Sequence, residues 1–276
     1  MNMSSWFTDR HFFLIAVVIY GVCSIYSVFL WRHGFRQDNR VSYLTLASGF
    51  VFHTAAMFLR GFSLARCPVN NLYEAITFIA WTIVATYLLF GLWSRLRFLG
   101  AFASPVLFAM GIFALMPALD VRGPKPEFSH GLASLHAALI LLAYGAFGLS
   151  AIAALMYLMQ EHDLKFHKVR AVLSLLPPIT RLEVVTARLL IAGFSLLTLG
   201  LVLSPILMKE TYGVYYNGDP KIAWSLFVWL LYLGLVAMRG WFAQGGRRFA
   251  WGTIASFSFV LLTFWGFNMW STVHHP

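Results

Sequence analysis

Nine histidines are spread along 276 residues, and their placement is the first chemical signal. His53 stands inside an apolar stretch, where an imidazole is easier to keep neutral than a Lys or Arg head group. An unprotonated ring nitrogen there can ligate a haem iron whose macrocycle lies in an apolar groove. The competing reading is a helix-packing histidine that donates to a neighbouring carbonyl. His130 and His136 precede or open a later apolar stretch, and His274 and His275 follow the last one. On the topology derived below, all four fall on one side of a membrane. His136 and His275 could then approach one iron from opposite faces, whereas a single ligand would leave an exchangeable position. The bland alternative makes His136 an interfacial amphipathic residue and leaves the terminal pair in solvent.

A second group surrounds Asp219-Pro220-Lys221, with Tyr212, Tyr215 and Tyr216 before it and Trp224 and Trp229 after it. Aromatic residues near an interface ordinarily anchor helices. Asp219 can cap a helix by accepting its free N–H groups, and Pro220 suits the first helical position. Trp224 could present a flat apolar surface to a porphyrin, with Lys221 near the propionates. Cys23 and Cys67 are too far apart in sequence for a thiol-exchange pair, and no Cys-x-x-Cys-His is present for covalent haem attachment. Phosphate-cradling glycine loops, His-Glu-x-x-His and Gly-x-Ser-x-Gly are also absent from the sequence. Any chemistry must therefore come from residues that helices bring together.

Those helices are legible from composition. With 60% hydrophobic and 11% charged residues, the chain is too apolar for an ordinary soluble domain. Charge-free intervals at 11–31, 41–59, 75–94, 98–119, 128–160, 189–208, 222–238 and 249–276 give eight expected spans of a hydrocarbon layer about 30 Å thick. The fold expected is all-α, a single polytopic membrane domain over residues 1–276. Lys and Arg total 13 on one set of alternate connections and 7 on the other. The positive-inside tendency then places both termini outside. Scattered between spans, these charges form no nucleic-acid-binding patch, despite a pI near 9.9. The N-terminus reads as a retained first helix. The connection around 161–188, broken at Pro177-Pro178, reads as cytoplasmic, with its first half an amphipathic surface helix.

Several elements together resemble the CcsA branch of the cytochrome c assembly family. Pro68-Val69-Asn70-Asn71-Leu72-Tyr73-Glu74 resembles that family's Pro-x-x-Asn-Leu-Tyr-Glu stretch before a helix. His136, followed by Tyr144-Gly145, is similar to its external histidine at a helix start. Asp219-Pro220-Lys221, Trp224, Trp229 and Tyr232 resemble the end of its tryptophan-rich segment and the next helix. Gly266-Phe267-Asn268 followed by His275 resembles the last helix and second external histidine, with His274 one residue away. The resemblance implies that His136 and His275 ligate haem and that Asp219 and Trp224 belong to the segment cradling it.

Two departures shape the functional expectation. Where synthases of the family carry tryptophans before Asp-Pro, this chain has Tyr215, Tyr216, Asn217 and Gly218, and a commonly intramembrane histidine is replaced by Ala237. His53 thus lacks its expected intramembrane mate. The HemX-like and YpjD-like branches share this reduced form. The expected role is to bind haem b non-covalently at the outer face and present it to an apocytochrome c, together with a separate assembly subunit. The alternative is a non-enzymatic regulator or stabiliser of a haem-biosynthetic membrane complex. In that role no cysteine of this chain need act as a nucleophile. The expected location is a bacterial inner membrane, with both termini periplasmic or exoplasmic. A solute transporter, the third class, has no broken-helix repeats to support it.

Overall fold

The computed structural model describes residues 8–33, 40–64, 71–92, 94–117, 120, 131–165, 178–216, 218–241 and 244–270. The helices are α1 (Asp9–His33), α2 (Arg40–Leu64), α3 (Leu72–Gly91), a 3-10 segment (Ser94–Leu99), α4 (Gly100–Ala114), α5 (Gly131–Lys165), α6 (Ile179–Tyr212), α7 (Pro220–Gly240) and α8 (Gly246–Trp270). Among the described residues, seven helices are long and apolar enough to cross a membrane. Helix α8 has 25 residues and opens on Gly246-Arg247-Arg248. Large apolar side chains such as Ile25, Leu44, Phe58, Leu199 and Leu262 point outward. In water that outer surface would be costly, but against lipid tails it is not, because the helices satisfy their own backbone hydrogen bonds.

The chain divides into two compact units, one formed by residues 1–121 and 159–179, the other by 122–158 and 180–276. In the first, α1 to α4 close around Phe13, Val17, Ala56, Tyr73, Ile76 and Ala114. Helix α3 is capped by Asn71, whose backbone is extended and whose side-chain oxygen accepts the N–H of Glu74 at 2.7 Å. Its C-terminal end is held by Arg97, whose Nε donates to the Gly91 carbonyl at 2.9 Å, where a cation also suits the helix dipole.

In the second unit, α5 and α6 pack antiparallel along a seven-residue repeat. Positions 136, 140, 143, 147 and 150 share one face of α5, and they meet positions 200, 193 and 186 of α6. Small residues at the contact let two backbones approach. A Cβ on Gly193 would stand 2.7 Å from the Phe147 ring and 3.1 Å from the Ala143 carbonyl. Further along, the Ser150 hydroxyl donates to the Thr186 carbonyl at 2.9 Å. Helix α7 buries Trp224, Val228, Tyr232 and Leu235, a single stripe. Tyr232 stacks on Phe147 of α5 at 3.5 Å, and the Trp229 indole donates to Thr198 of α6 at 2.9 Å.

Helix α5 runs on through Glu161, His162, Asp163 and Lys165, and α6 begins directly after Pro178, so the connection expected over 161–188 is largely helix at both ends. The charges there mark where the chain leaves hydrocarbon, whereas the prolines mark where the helix itself must restart. Residues 166–177, which include part of the expected surface helix, lie outside the described residues.

Candidate functional site

His136 lies one to two turns inside α5 and is half-buried. Its Nδ1 is 2.8 Å from the backbone carbonyl of Gly200 in α6. A carbonyl only accepts, so Nδ1 must carry the proton. The Gly200 oxygen has two lone pairs and can take this bond while serving its own helix. A neutral imidazole protonated at Nδ1 presents an unprotonated Nε2. That is the state a metal-ligating histidine adopts when its other nitrogen donates to a carbonyl. The donor chemistry of His136 therefore fits a haem iron.

The start of α7 supplies the charged groups. Asp219 is the N-cap expected from sequence: its backbone is extended (φ −62°, ψ 127°), its side chain accepts the Lys221 N–H at 2.7 Å, and Pro220 occupies the first turn. The cap fixes Lys221 on the first turn of α7, near enough to His136 for the ammonium charge to act on the ring. The structure thus brings His136, Asp219 and Lys221 to one end of the second unit. On the preceding connection Tyr215 and Tyr216 are exposed. Lys209 donates to the Tyr215 hydroxyl at 2.6 Å and lies 4.7 Å from the centre of its ring.

Trp224 is placed differently from a residue that offers an open face. Its side chain is 3% exposed and its indole N–H donates to the Thr263 hydroxyl of α8 at 3.0 Å. The ring therefore ties α7 to α8 below the Asp219 cap. His274 and His275 lie outside the described residues, as does His130.

His53 is fully buried in the first unit. Its Nδ1 is 3.1 Å from the Tyr20 hydroxyl, and its ring centre is 4.9 Å from that of Phe13. Its Nε2 meets no donor or acceptor at hydrogen-bond geometry, the Thr77 carbonyl of α3 being the polar group that bears on the ring. The imidazole is thus placed between a phenol from α1 and a backbone carbonyl of α3. His53 and His136 belong to different units.

One constellation has no counterpart in the sequence reading. Arg60, with 6% of its side chain exposed, donates through Nε to Glu74 at 2.9 Å, through one terminal nitrogen to Asp9 at 3.1 Å and through the other to Asp120. Asn71 also donates to Asp120 at 3.0 Å, and Arg10 donates to the Leu115 carbonyl at 2.7 Å. The Tyr73 ring lies 5.4 Å from the Arg10 guanidinium and 5.2 Å from that of Arg60. The Asn71-Leu72-Tyr73-Glu74 stretch is thereby explained as architecture: it caps α3, accepts Arg60 and supplies an aromatic face to two cations. The signal was available in the alternation of spans. Residues at the start of α1, the end of α2, the start of α3 and just past α4 must share one end of a four-helix unit.

The profile of the family described as Cytochrome C assembly protein matches residues 69–275. The cytochrome c biogenesis protein CcsA of Synechococcus sp. (strain JA-3-3Ab) is 26% identical, over 92% of this chain and 91% of that protein. That of Prochlorococcus marinus (strain NATL1A) is 25% identical over 87% and 85%. That of Gloeobacter violaceus is 26% identical over 73% and 75%. The matched stretch of this chain runs from before the α3 cap through His136 and the Asp219 turn to His275, and the chain belongs to the cytochrome c assembly protein family.

Proposed function

We propose that this protein binds haem at the outer membrane face and presents it for cytochrome c assembly. The reading is supported most by one observation: the His136 imidazole, pinned through Nδ1 to the Gly200 carbonyl, keeps an unprotonated Nε2 on the side away from that bond. His136 and His275 are the proposed iron ligands, with His274 the one-residue alternative to His275. Lys221 offsets propionate charge, and Asp219 keeps it at the head of α7. Tyr215 and Tyr216 contact the porphyrin face, while Trp224 holds α7 to α8 beneath it. His53 is a proposed intramembrane ligand for haem before it reaches the outer face.

Bound haem b would supply the porphyrin edge to which the cysteines of a separate apocytochrome are joined. This chain's part is to orient it. Apolar burial gives a non-directional driving force, and the histidines and Lys221 select one orientation. On this reading the protein sits in a bacterial inner membrane, both termini lie on the periplasmic side, and a further assembly subunit completes the reaction.

The test compares intact purified protein with His136→Ala and His275→Ala at matched protein levels, measuring haem content and the Soret band. Loss of pigment in both is expected, and unchanged spectra in both reject the ligand roles. Reconstitution with an apocytochrome and a partner subunit then distinguishes presentation from storage. The exposed tyrosines at 215 and 216, where tryptophans would offer larger stacking faces, favour a second reading as a regulator of a haem-biosynthetic complex. Crosslinking in native membranes that captures biosynthetic enzymes and no cytochrome assembly factor would select it.

A further inference from the structure

Gly200 stands in the middle of α6, where a glycine weakens a helix relative to alanine. Two contacts explain its presence. Its carbonyl oxygen accepts from His136 Nδ1 at 2.8 Å. Its bare Cα faces Ile140: a Cβ built there would stand 2.5 Å from Ile140 Cδ1 and 3.0 Å from Cγ1, with the Ile140 backbone nitrogen at 3.6 Å. His136 and Ile140 are one turn apart on the same face of α5, so the closest approach of the two helices coincides with the hydrogen bond.

We infer that Gly200 is the positioning residue for His136, its carbonyl choosing the tautomer that exposes Nε2 and its missing side chain letting α5 come close enough for that bond. The inference rests on the reading of His136 as a haem ligand, but its physical content is a property of the protein without haem. If Nδ1 loses the carbonyl, the proton is free to move to Nε2, and a protonated nitrogen cannot ligate iron. A methyl group at position 200 would press on Ile140 and wedge the helices apart where the bond is 2.8 Å long. Since the atoms it meets first belong to the end of a side chain, trimming that side chain should relieve the wedge.

Gly193 provides the internal control. It lies seven residues earlier on the same face of α6 and makes an equally tight approach, to Phe147 at 2.7 Å, but no histidine bonds to its carbonyl in the described structure. A purely structural role predicts that Gly193→Ala and Gly200→Ala behave alike. A positioning role predicts that they part at His136.

The experiment is nitrogen NMR of the full-length, haem-free protein in lipid nanodiscs, with histidine labelled at both ring nitrogens. It is run near pH 8, about 1.5 units above the ordinary imidazole pKa, with His136→Gln identifying the signals. Wild type should show His136 protonated at Nδ1. Gly200→Ala should move it to a mixture or to the Nε2-protonated form, Gly193→Ala should leave it as in wild type, and Ile140→Ala in the Gly200→Ala background should restore it. If Gly200→Ala alone does not fold, the double variant and Gly193→Ala still decide. A wild-type ring protonated at Nε2, an unaltered tautomer in Gly200→Ala, or an equal change in Gly193→Ala would each overturn the inference. Haem affinity, measured separately, should fall about tenfold or more in Gly200→Ala, as for loss of a partner that orients a ligating histidine. A tautomer that shifts as expected while His136→Ala keeps its haem would leave the positioning intact and remove only the haem reading.

Discussion

The two units place polar groups at helix ends in opposite ways. In the first, Arg60 meets three carboxylates, two of them almost fully buried, and its nitrogens donate within the cluster. In the second, His136 commits one nitrogen to a carbonyl and keeps the other, and Lys221 stands on the first turn of a helix capped by Asp219. The first arrangement is closed, its cations and carboxylates engaged with one another. The second is asymmetric, with donors fixed in place and a ligating atom left over. Polar residues in a membrane protein are expensive wherever they sit, and the contrast separates those that hold helices together from those available for chemistry.

The largest expected effect falls on the closed side. Arg60→Leu leaves Glu74 and Asp120 buried around a missing cation, and breaking a buried pair in this way costs about 3–5 kcal/mol. Thermal unfolding of the detergent-solubilised protein should show it as a large drop in midpoint. A fall no greater than that of a surface substitution would mean that the cluster is not a stabilising lock. Asn71→Ala comes next, removing the α3 cap and a donor to Asp120, for about 1–2 kcal/mol in the same assay. Trp229→Phe keeps the ring but deletes the N–H donated to Thr198, with an expected cost of about 1 kcal/mol. The smallest effect belongs to Arg239→Ala, which breaks a pair with Glu183 at 3.2 Å whose side chains are 31% and 24% exposed. Solvent screening holds that loss under about 1 kcal/mol. An Arg239 effect matching that of Arg60 would erase the distinction between closed and exposed pairs.

What the sequence disclosed follows the range of each interaction. The apolar spans, the Asp219 cap with Pro220 behind it, and the position of His136 at the head of a helix are local properties, readable from neighbouring residues. The extent of α5 is not legible locally, because charges at 161–165 end a hydrocarbon crossing without ending a helix. Trp224 has the composition of a binding face, yet its orientation is set by Thr263, some forty positions away. Gly200 is one glycine in an apolar run and gains meaning only once Ile140 is known to face it. Arg60 could have been paired with Asp9, Glu74 and Asp120 by counting alternate span ends, a step that needs all four boundaries at once.

The central claim, that His136 is prepared to ligate haem through Nε2, is tested most directly by the absorption spectrum of His136→Gly protein loaded with haem, recorded with and without added imidazole. The account predicts a Soret band that weakens and shifts in the variant and returns toward wild type when imidazole occupies the emptied position. A variant whose spectrum and haem content match wild type before any imidazole is added would contradict it.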